Sequence, residues 1–195
     1  MRLFVAVEIC DAMREAAAGA AETIRRTLGR AIDARWVEPE KLHFTVRFIG
    51  HVEDDRVPEL LTVLVRPLAV EPFEIALDRC GVFPPAGGLR VIWIGLATGL
   101  PSLSAMHDEY NRRLAPLRFE ADARPYSAHL TLARVKNARK ASAASLRDVI
   151  PGIPVEAIRC RVDRATIFRS HMSSHGSRYE PLAHADLRDR HTAHE

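Results

Sequence analysis

Two short stretches, one in each half of the chain, read His-x-Thr inside an apolar run: Leu42-His43-Phe44-Thr45-Val46 and Ala128-His129-Leu130-Thr131-Leu132. Alternation of this kind is the pattern of a half-buried strand, in which successive side chains point to opposite faces. His43 and Thr45 then share one face and Phe44 and Val46 the other, and His129 and Thr131 repeat the arrangement. A fold that uses both strands must supply a core for the apolar faces and bring two imidazole-hydroxyl faces to a common polar space.

The elements around the motifs repeat as well. Arg2 to Ile9 reads as a strand, and a helix runs from Asp11, a suitable N-cap, to Leu28 before Gly29. A short extended piece covers Arg35 to Val37, the first motif strand covers Leu42 to Ile49 and is closed by Gly50, and helical spacing covers Glu53 to Leu68. Phe73, Ile75 and Leu77 alternate as a strand. Val82 to Leu89, with Pro84-Pro85 and Gly87-Gly88, is a turn-forming connector at the midpoint. The second half then predicts a strand over Arg90 to Leu96, a helix over Pro101 to Leu114, a short extended piece over Leu117 to Ala121, the second motif strand over His129 to Val135, a helix over Ala138 to Ile150 and a strand region over Val155 to Phe168.

Residues 2–79 and 90–168 therefore share the order strand, helix, strand, strand, helix, strand. A β-α-β-β-α-β unit is the ferredoxin-like pattern. The expected fold class is α+β and bilobal: two pseudo-twofold-related lobes whose antiparallel sheets flank a central cleft lined by both His-x-Thr faces. Residues 1–182 are expected to form this single domain. Residues 169–182 read as a polar loop ending in a short strand near Tyr179, and residues 183–195, which alternate charges and carry His184, His191 and His194, read as a flexible tail.

Composition narrows the function. At 195 residues and 47% hydrophobic the chain can bury a real core, and its net charge of +3, carried mainly by Arg, suits a phosphate-bearing partner without requiring one. Cys10, Cys80 and Cys160 show no C-x-x-C spacing, which argues against a disulfide framework or a zinc knuckle. No run approaches the ~18 apolar residues of a membrane span, and Leu3 to Val7 is too short for a signal segment. A soluble cytoplasmic monomer with no obligate protein partner is the expectation.

Imidazole exchanges protons near neutral pH, so a facing pair can act as acid and base on a group flanked by two oxygens, such as a phosphodiester. Thr45 and Thr131 are placed to hold its non-bridging oxygens. Its charge needs a guanidinium. Arg47 keeps the motif face by parity, whereas Arg134 falls on the opposite face of an ideal strand unless a bulge intervenes. No acidic cluster has the spacing for Mg²⁺ or Mn²⁺, and two strand histidines without a third ligand make a poor zinc site, so metal-independent chemistry without a cofactor is expected.

These residues, with Arg2-Leu-Phe-Val-Ala-Val-Glu8, Arg35-Trp-Val37, Arg90-Val-Ile-Trp-Ile-Gly95, Arg124-Pro-Tyr-Ser, and Phe168-Arg-Ser170 through Arg178-Tyr179, carry a resemblance to the two-histidine phosphoesterases, and among them the LigT-like RNA 2′,3′-cyclic phosphodiesterases, also described as 2′-5′ RNA ligases. The resemblance implies hydrolysis of a 2′,3′-cyclic phosphate to a 2′-phosphomonoester, with His43 as proton donor to the departing oxygen and His129 as the base toward water. It implies Thr45, Thr131 and Arg134 as phosphate-binding residues. Phe48 and Tyr126 are divided between packing and base stacking, Trp36 and Trp93 read as anchors of the lobes, and Arg169, Ser170, His171 and Ser173 as either cleft rim or solvated loop. The expected partners are RNA ends or small nucleotides carrying a cyclic phosphate. The same cleft also suits 2′-5′ oligonucleotides, other small cyclic phosphates, weak ligation, or a non-catalytic role in holding RNA ends.

Overall fold

A computed structural model describes residues 1–121, 125–138, 146–173 and 176–188. The strands are β1 (Arg2–Glu8), β2 (Ile32–Trp36), β3 (His43–His51), β4 (Phe73–Phe83), β5 (Val91–Thr98), β6 (Leu130–Ala138), β7 (Arg159–Val162), β8 (Arg164–Ser173) and β9 (Gly176–Asp186). The helices are α1 (Asp11–Leu28), α2 (Val57–Leu64) and α3 (Leu100–Leu114). The expected helix over 138–150 lies mostly outside the described residues, and 146–149 are helical.

These nine strands join one sheet in the order β7-β4-β5-β6-β3-β1-β8-β9, with β2 pairing β6, and every pairing between them is antiparallel. The fold is thus α+β with an antiparallel sheet. The two halves do not build separate sheets, however. β4, the last strand of the first half, pairs with β5 and β7, and β8, the last strand of the second half, pairs with β1. Each half lends its closing strand to the other. The motif strands meet directly in the middle, where Phe44 lies opposite Leu130.

The main core shows why β1 tolerates burial on both faces. Leu3, Val5 and Val7 join α1, α2 and α3 in one large apolar cluster, while Phe4 and Ala6 pack with Phe168 and Tyr179 on the other face of the sheet. α1 contributes Met13, Ala17, Ala20, Ile24 and Leu28, at the helical spacing that makes one buried stripe. Its N-cap is Cys10 rather than Asp11, which becomes an acidic first-turn residue, and Gly29 closes it.

Other boundaries move for identifiable reasons. α2 is shorter than expected because Asp54–Arg56 forms a 3₁₀ turn ahead of it and the helix ends at Leu64. β3 runs through Gly50, whose positive φ of 91° is absorbed at an irregularity of the ladder with β1. The short extended piece at 117–121 is absent: Ala115–Leu117 is a 3₁₀ turn capped by Arg118, so the described part of the second half has no counterpart of β2. The polar loop at 169–173 is instead the end of β8. β9 continues through Asp186, past the expected boundary at 183, because Ala183 and Ala185 pair with Ile167 and Ala165, and Leu187 is buried. His191 and His194 lie outside the described residues. No described helix is long and apolar enough to cross a membrane.

Candidate active site

β3 and β6 each carry a bulge at the same distance beyond their histidine, ahead of a second irregularity farther along each strand, at Ile49 and at Lys136. Along β3, Thr45 lies opposite Ala6 but Arg47 lies opposite Val5, so Val46 is an extra residue. Along β6, Thr131 lies opposite Trp93 but Ala133 lies opposite Ile92, so Leu132 is the extra one. A bulge reverses the face of everything that follows it. Parity from the sequence therefore fails beyond Thr45 and Thr131: Arg47 turns into the interior, 4% exposed, and Phe48 and Arg134 turn toward the polar face.

Each bulge frees a backbone carbonyl, and each carbonyl is recaptured. The Val46 oxygen accepts a hydrogen bond from Nδ1 of His107 (2.8 Å), a buried residue of α3 whose Nε2 accepts from Asn111 (2.9 Å). The Leu132 oxygen accepts from the Val37 N–H (2.8 Å). Arg47 secures the first bulge further by donating to the carbonyls of Phe48 and Glu120. Tyr126 stacks on His107 with ring centroids 4.5 Å apart and donates to the Thr45 carbonyl (3.0 Å), so packing rather than base stacking accounts for it. Burial moves its phenol well above the usual tyrosine range.

Both motif imidazoles are held in the same way. His43 donates from Nδ1 to the Lys41 carbonyl (2.8 Å), and His129 from Nδ1 to the Ser127 carbonyl (2.8 Å), in each case two residues back along the chain. A carbonyl accepts only, so each neutral ring keeps its proton on Nδ1 and presents a basic Nε2. Nε2 of His43 accepts from the Thr45 hydroxyl (3.1 Å). The ring of His43 lies 5.1 Å from that of Phe4 and 5.3 Å from that of Tyr179, while His129 meets Phe83 edge-on at 5.1 Å. Phe83 in turn stacks on Trp93 at 4.9 Å, and Trp93 lies so close to Gly81 that a Cβ there would fall 2.3 Å from the indole.

A cavity of about 450 Å³ opens over this face. Its walls include His43, Thr45, Thr131 and Arg134, with Phe48 and Tyr179 as aromatic surfaces. His129 does not line it, although its charge acts on His43. The cationic side chains Arg2, Arg35, Lys41 and Arg134 face one carboxylate, Glu38, which is 2.7 Å from Lys41. Arg2 lies over the ring of Phe48 at 5.1 Å. Ser170 reaches the cavity from β8, but His171 is engaged with Glu180 (2.6 Å), and the side chain of Ser173 is outside the described residues. Trp36 packs on the core and also edges the cavity. Among the described residues no three His, Cys, Asp or Glu side chains converge as a metal site would require.

Phe4, Tyr179 and Ser177 also form part of the wall, and no local pattern in the sequence marks them as site residues. Phe4 and Tyr179 are identified only by their place beside His43 once β1, β8 and β9 are paired, a long-range fact.

Burial is the largest influence on both imidazoles and lowers both pKa values below the usual 6.5, and the Arg134 guanidinium lowers them further. Each ring then binds its proton more weakly in the folded than in the unfolded chain. The pair's contribution to stability is present above pH ~6.5 and declines as the pH falls through the folded values. NMR titration of the free protein is expected to place both midpoints below 6.5, and Arg134→Gln to raise both, because the charge opposing each imidazolium is gone. Midpoints that do not move in that variant would remove Arg134 from the electrostatics of the pair.

A family model described as the 2′-5′ RNA ligase superfamily matches residues 13–173. A Methanocaldococcus jannaschii protein named RNA 2′,3′-cyclic phosphodiesterase is 35% identical over 70% of this chain and 72% of its own length. A Methanothermobacter thermautotrophicus protein of the same name is 29% identical over 93% of this chain and 96% of its own. Among solved structures, one from Thermus thermophilus superposes with a TM-score of 0.75 at 26% identity, covering 98% of this chain and all (100%) of that one. Escherichia coli LigT complexed with 3′-AMP superposes at 0.71 with 22% identity, covering 95% of this chain and 97% of its own, a likeness of fold.

Proposed function

The chain belongs to the 2′-5′ RNA ligase superfamily, and from that premise we propose that it hydrolyses the 2′,3′-cyclic phosphate of an RNA or nucleoside end to a 2′-phosphomonoester. The observation that carries the proposal is the matched pair of imidazoles, each fixed through Nδ1 so that Nε2 remains for proton transfer. Two relatives named RNA 2′,3′-cyclic phosphodiesterase, one 35% and one 29% identical, support the same activity.

In this mechanism Nε2 of His129 takes a proton from water as the water oxygen bonds to phosphorus. Nε2 of His43, protonated, gives its proton to the 3′ oxygen as the P–O3′ bond breaks. One proton enters the protein and one leaves, so the next turnover needs only their exchange. Thr45 and Thr131 donate hydrogen bonds to non-bridging oxygens, and Arg134, brought to the polar face by the second bulge, balances their charge. The bound anion opposes the influences that lower the two pKa values, which favours the protonated acid once substrate is in place. Phe48, 41% exposed on the cavity wall, offers its ring to a base. The 2′,3′-cyclic phosphate can also be opened by a 5′-hydroxyl in place of water, giving a weak 2′-5′ ligation. The setting proposed is a soluble, cytoplasmic one.

The test is incubation of the protein in EDTA with an RNA oligomer ending in a 2′,3′-cyclic phosphate, followed by identification of the product end. A 2′-phosphate is expected, with no divalent ion required. Absence of turnover would sink the RNA-end reading. A 3′-phosphate product would reverse the assignment of the departing oxygen.

A further inference from the structure

β2 lies against β6 with Arg35 directly opposite Arg134, and both side chains line the cavity. Directly opposed residues share a face with Cβ atoms ~5 Å apart, and like charges in that position destabilise the pairing. Both arginines are exposed, and among the described residues neither guanidinium has a hydrogen bond, ion pair or ring contact. Lys41, on the same cavity wall, is by contrast anchored by Glu38. Two adjacent arginines left without a counter-ion on a concave surface are arranged for an anion that arrives with the ligand.

One phosphate does not account for both. Arg134 shares its strand with Thr131 and its charge acts on both imidazoles, whereas Arg35 belongs to β2. Arg35 stands one strand farther out, a step of ~4.8 Å. On the proposed mechanism the hydroxyls of Thr45 and Thr131 and the Arg134 guanidinium are occupied by the reacting group. In a strand of RNA ending in a cyclic phosphate, the next anion is the phosphodiester on the 5′ side of the terminal nucleotide.

We propose that Arg35 binds this penultimate phosphodiester, so that the cleft selects an RNA 3′ end of two or more nucleotides over a lone nucleoside 2′,3′-cyclic phosphate. The inference rests on the cyclic phosphodiesterase reading and names its substrate class. Arg35 is a specificity residue: it touches a part of the substrate that does not react.

The experiment compares the wild type, Arg35→Ala and Arg35→Lys on adenosine 2′,3′-cyclic phosphate and on a trinucleotide ending in the same group, over a range of salt. The wild type is expected to favour the trinucleotide. In Arg35→Ala the ratio of the two kcat/KM values falls about tenfold, as loss of one charge-assisted contact predicts, and the fall lies in KM for the trinucleotide. The salt dependence of kcat/KM for the trinucleotide becomes shallower by ~0.7 in the logarithmic slope. Arg35→Lys restores the slope, since it restores the charge, but not the whole of the preference. Equal losses on both substrates would place Arg35 on the reacting phosphate and overturn the proposal, and an unchanged ratio and slope would reduce it to a surface cation. A wild type active on both substrates without preference defeats this inference alone, whereas one inactive on both defeats the phosphodiesterase reading beneath it.

Discussion

Replacing either His43 or His129 with Ala is expected to lower kcat on an RNA 2′,3′-cyclic phosphate by ~10²–10⁴-fold, the usual contribution of a positioned proton donor or acceptor. The double variant should fall little below the worse single one, because the two groups serve one transition state and their effects do not add. KM should change far less. Thr131 and Arg134 sit on the same cavity wall and are untouched by either substitution, and Thr45 loses only its hydrogen bond to Nε2 when His43 is replaced. His43 also packs against both Phe4 and Tyr179, so its truncation leaves a gap beside them. His43→Gln keeps most of that volume and should be equally inactive, which separates proton transfer from packing. Single-turnover rates together with product affinity check this: a variant retaining about a tenth of the wild-type rate would end the acid-base assignment. Loss of turnover with retained affinity also separates an enzyme from a module that only holds RNA ends.

The second large effect concerns stability. Phe44 is fully buried and forms the ladder pair, with Leu130, through which the two motif strands meet. Phe44→Ala is expected to cost ~3–5 kcal/mol, the transfer free energy of the ring plus the cavity it leaves. That is a large share of a typical total of ~5–15 kcal/mol. The expected result in urea is a transition midpoint lowered by more than about 1 M for a slope of ~2–3 kcal/mol/M, with the slope itself little changed. A loss below ~1 kcal/mol would show that the surrounding chain collapses into the gap, and that the junction does not depend on this ring. Phe44→Leu, which fills more of the space, should recover part of the loss.

The limits of what the sequence shows are physical. The local pattern locates β1, α1, β5 and α3 within a residue or two: β1 is an apolar run without breakers, and the other three have an apolar stripe or alternation and a Pro or Gly near an end. His43, Thr45, His129 and Thr131 all belong to the strand runs marked by alternation. Beyond the threonines, alternation misleads: one extra residue in each strand exchanges Arg47 for Phe48 on one side and brings Arg134 into the cleft on the other. The signal for the first bulge lies in His107, which captures the freed carbonyl from α3, a partner 61 residues away that nothing local announces. Strand pairing escapes a local reading for a related reason. The repeated order of elements is symmetric under exchange of the closing strands, so it serves two self-contained lobes and one shared sheet equally well. Residues 169–173 have the polar composition of a loop, whereas they extend β8 because Arg169 and Ser170 pair with β1 and all five pair with β9.

The exchange of closing strands bears on how the protein comes into being. Each half of the chain carries one complete motif, yet the wall against His43 combines Phe4 with Phe168 and Tyr179 from the other half, and Phe83 of the first half stands against His129. On the proposed mechanism, the surroundings of both imidazoles would be complete only once the strands that end the chain have left the ribosome and closed against the first strand. A product terminated short of those strands is then expected to lack the proposed activity, and two half-chains to gain it only by pairing with each other.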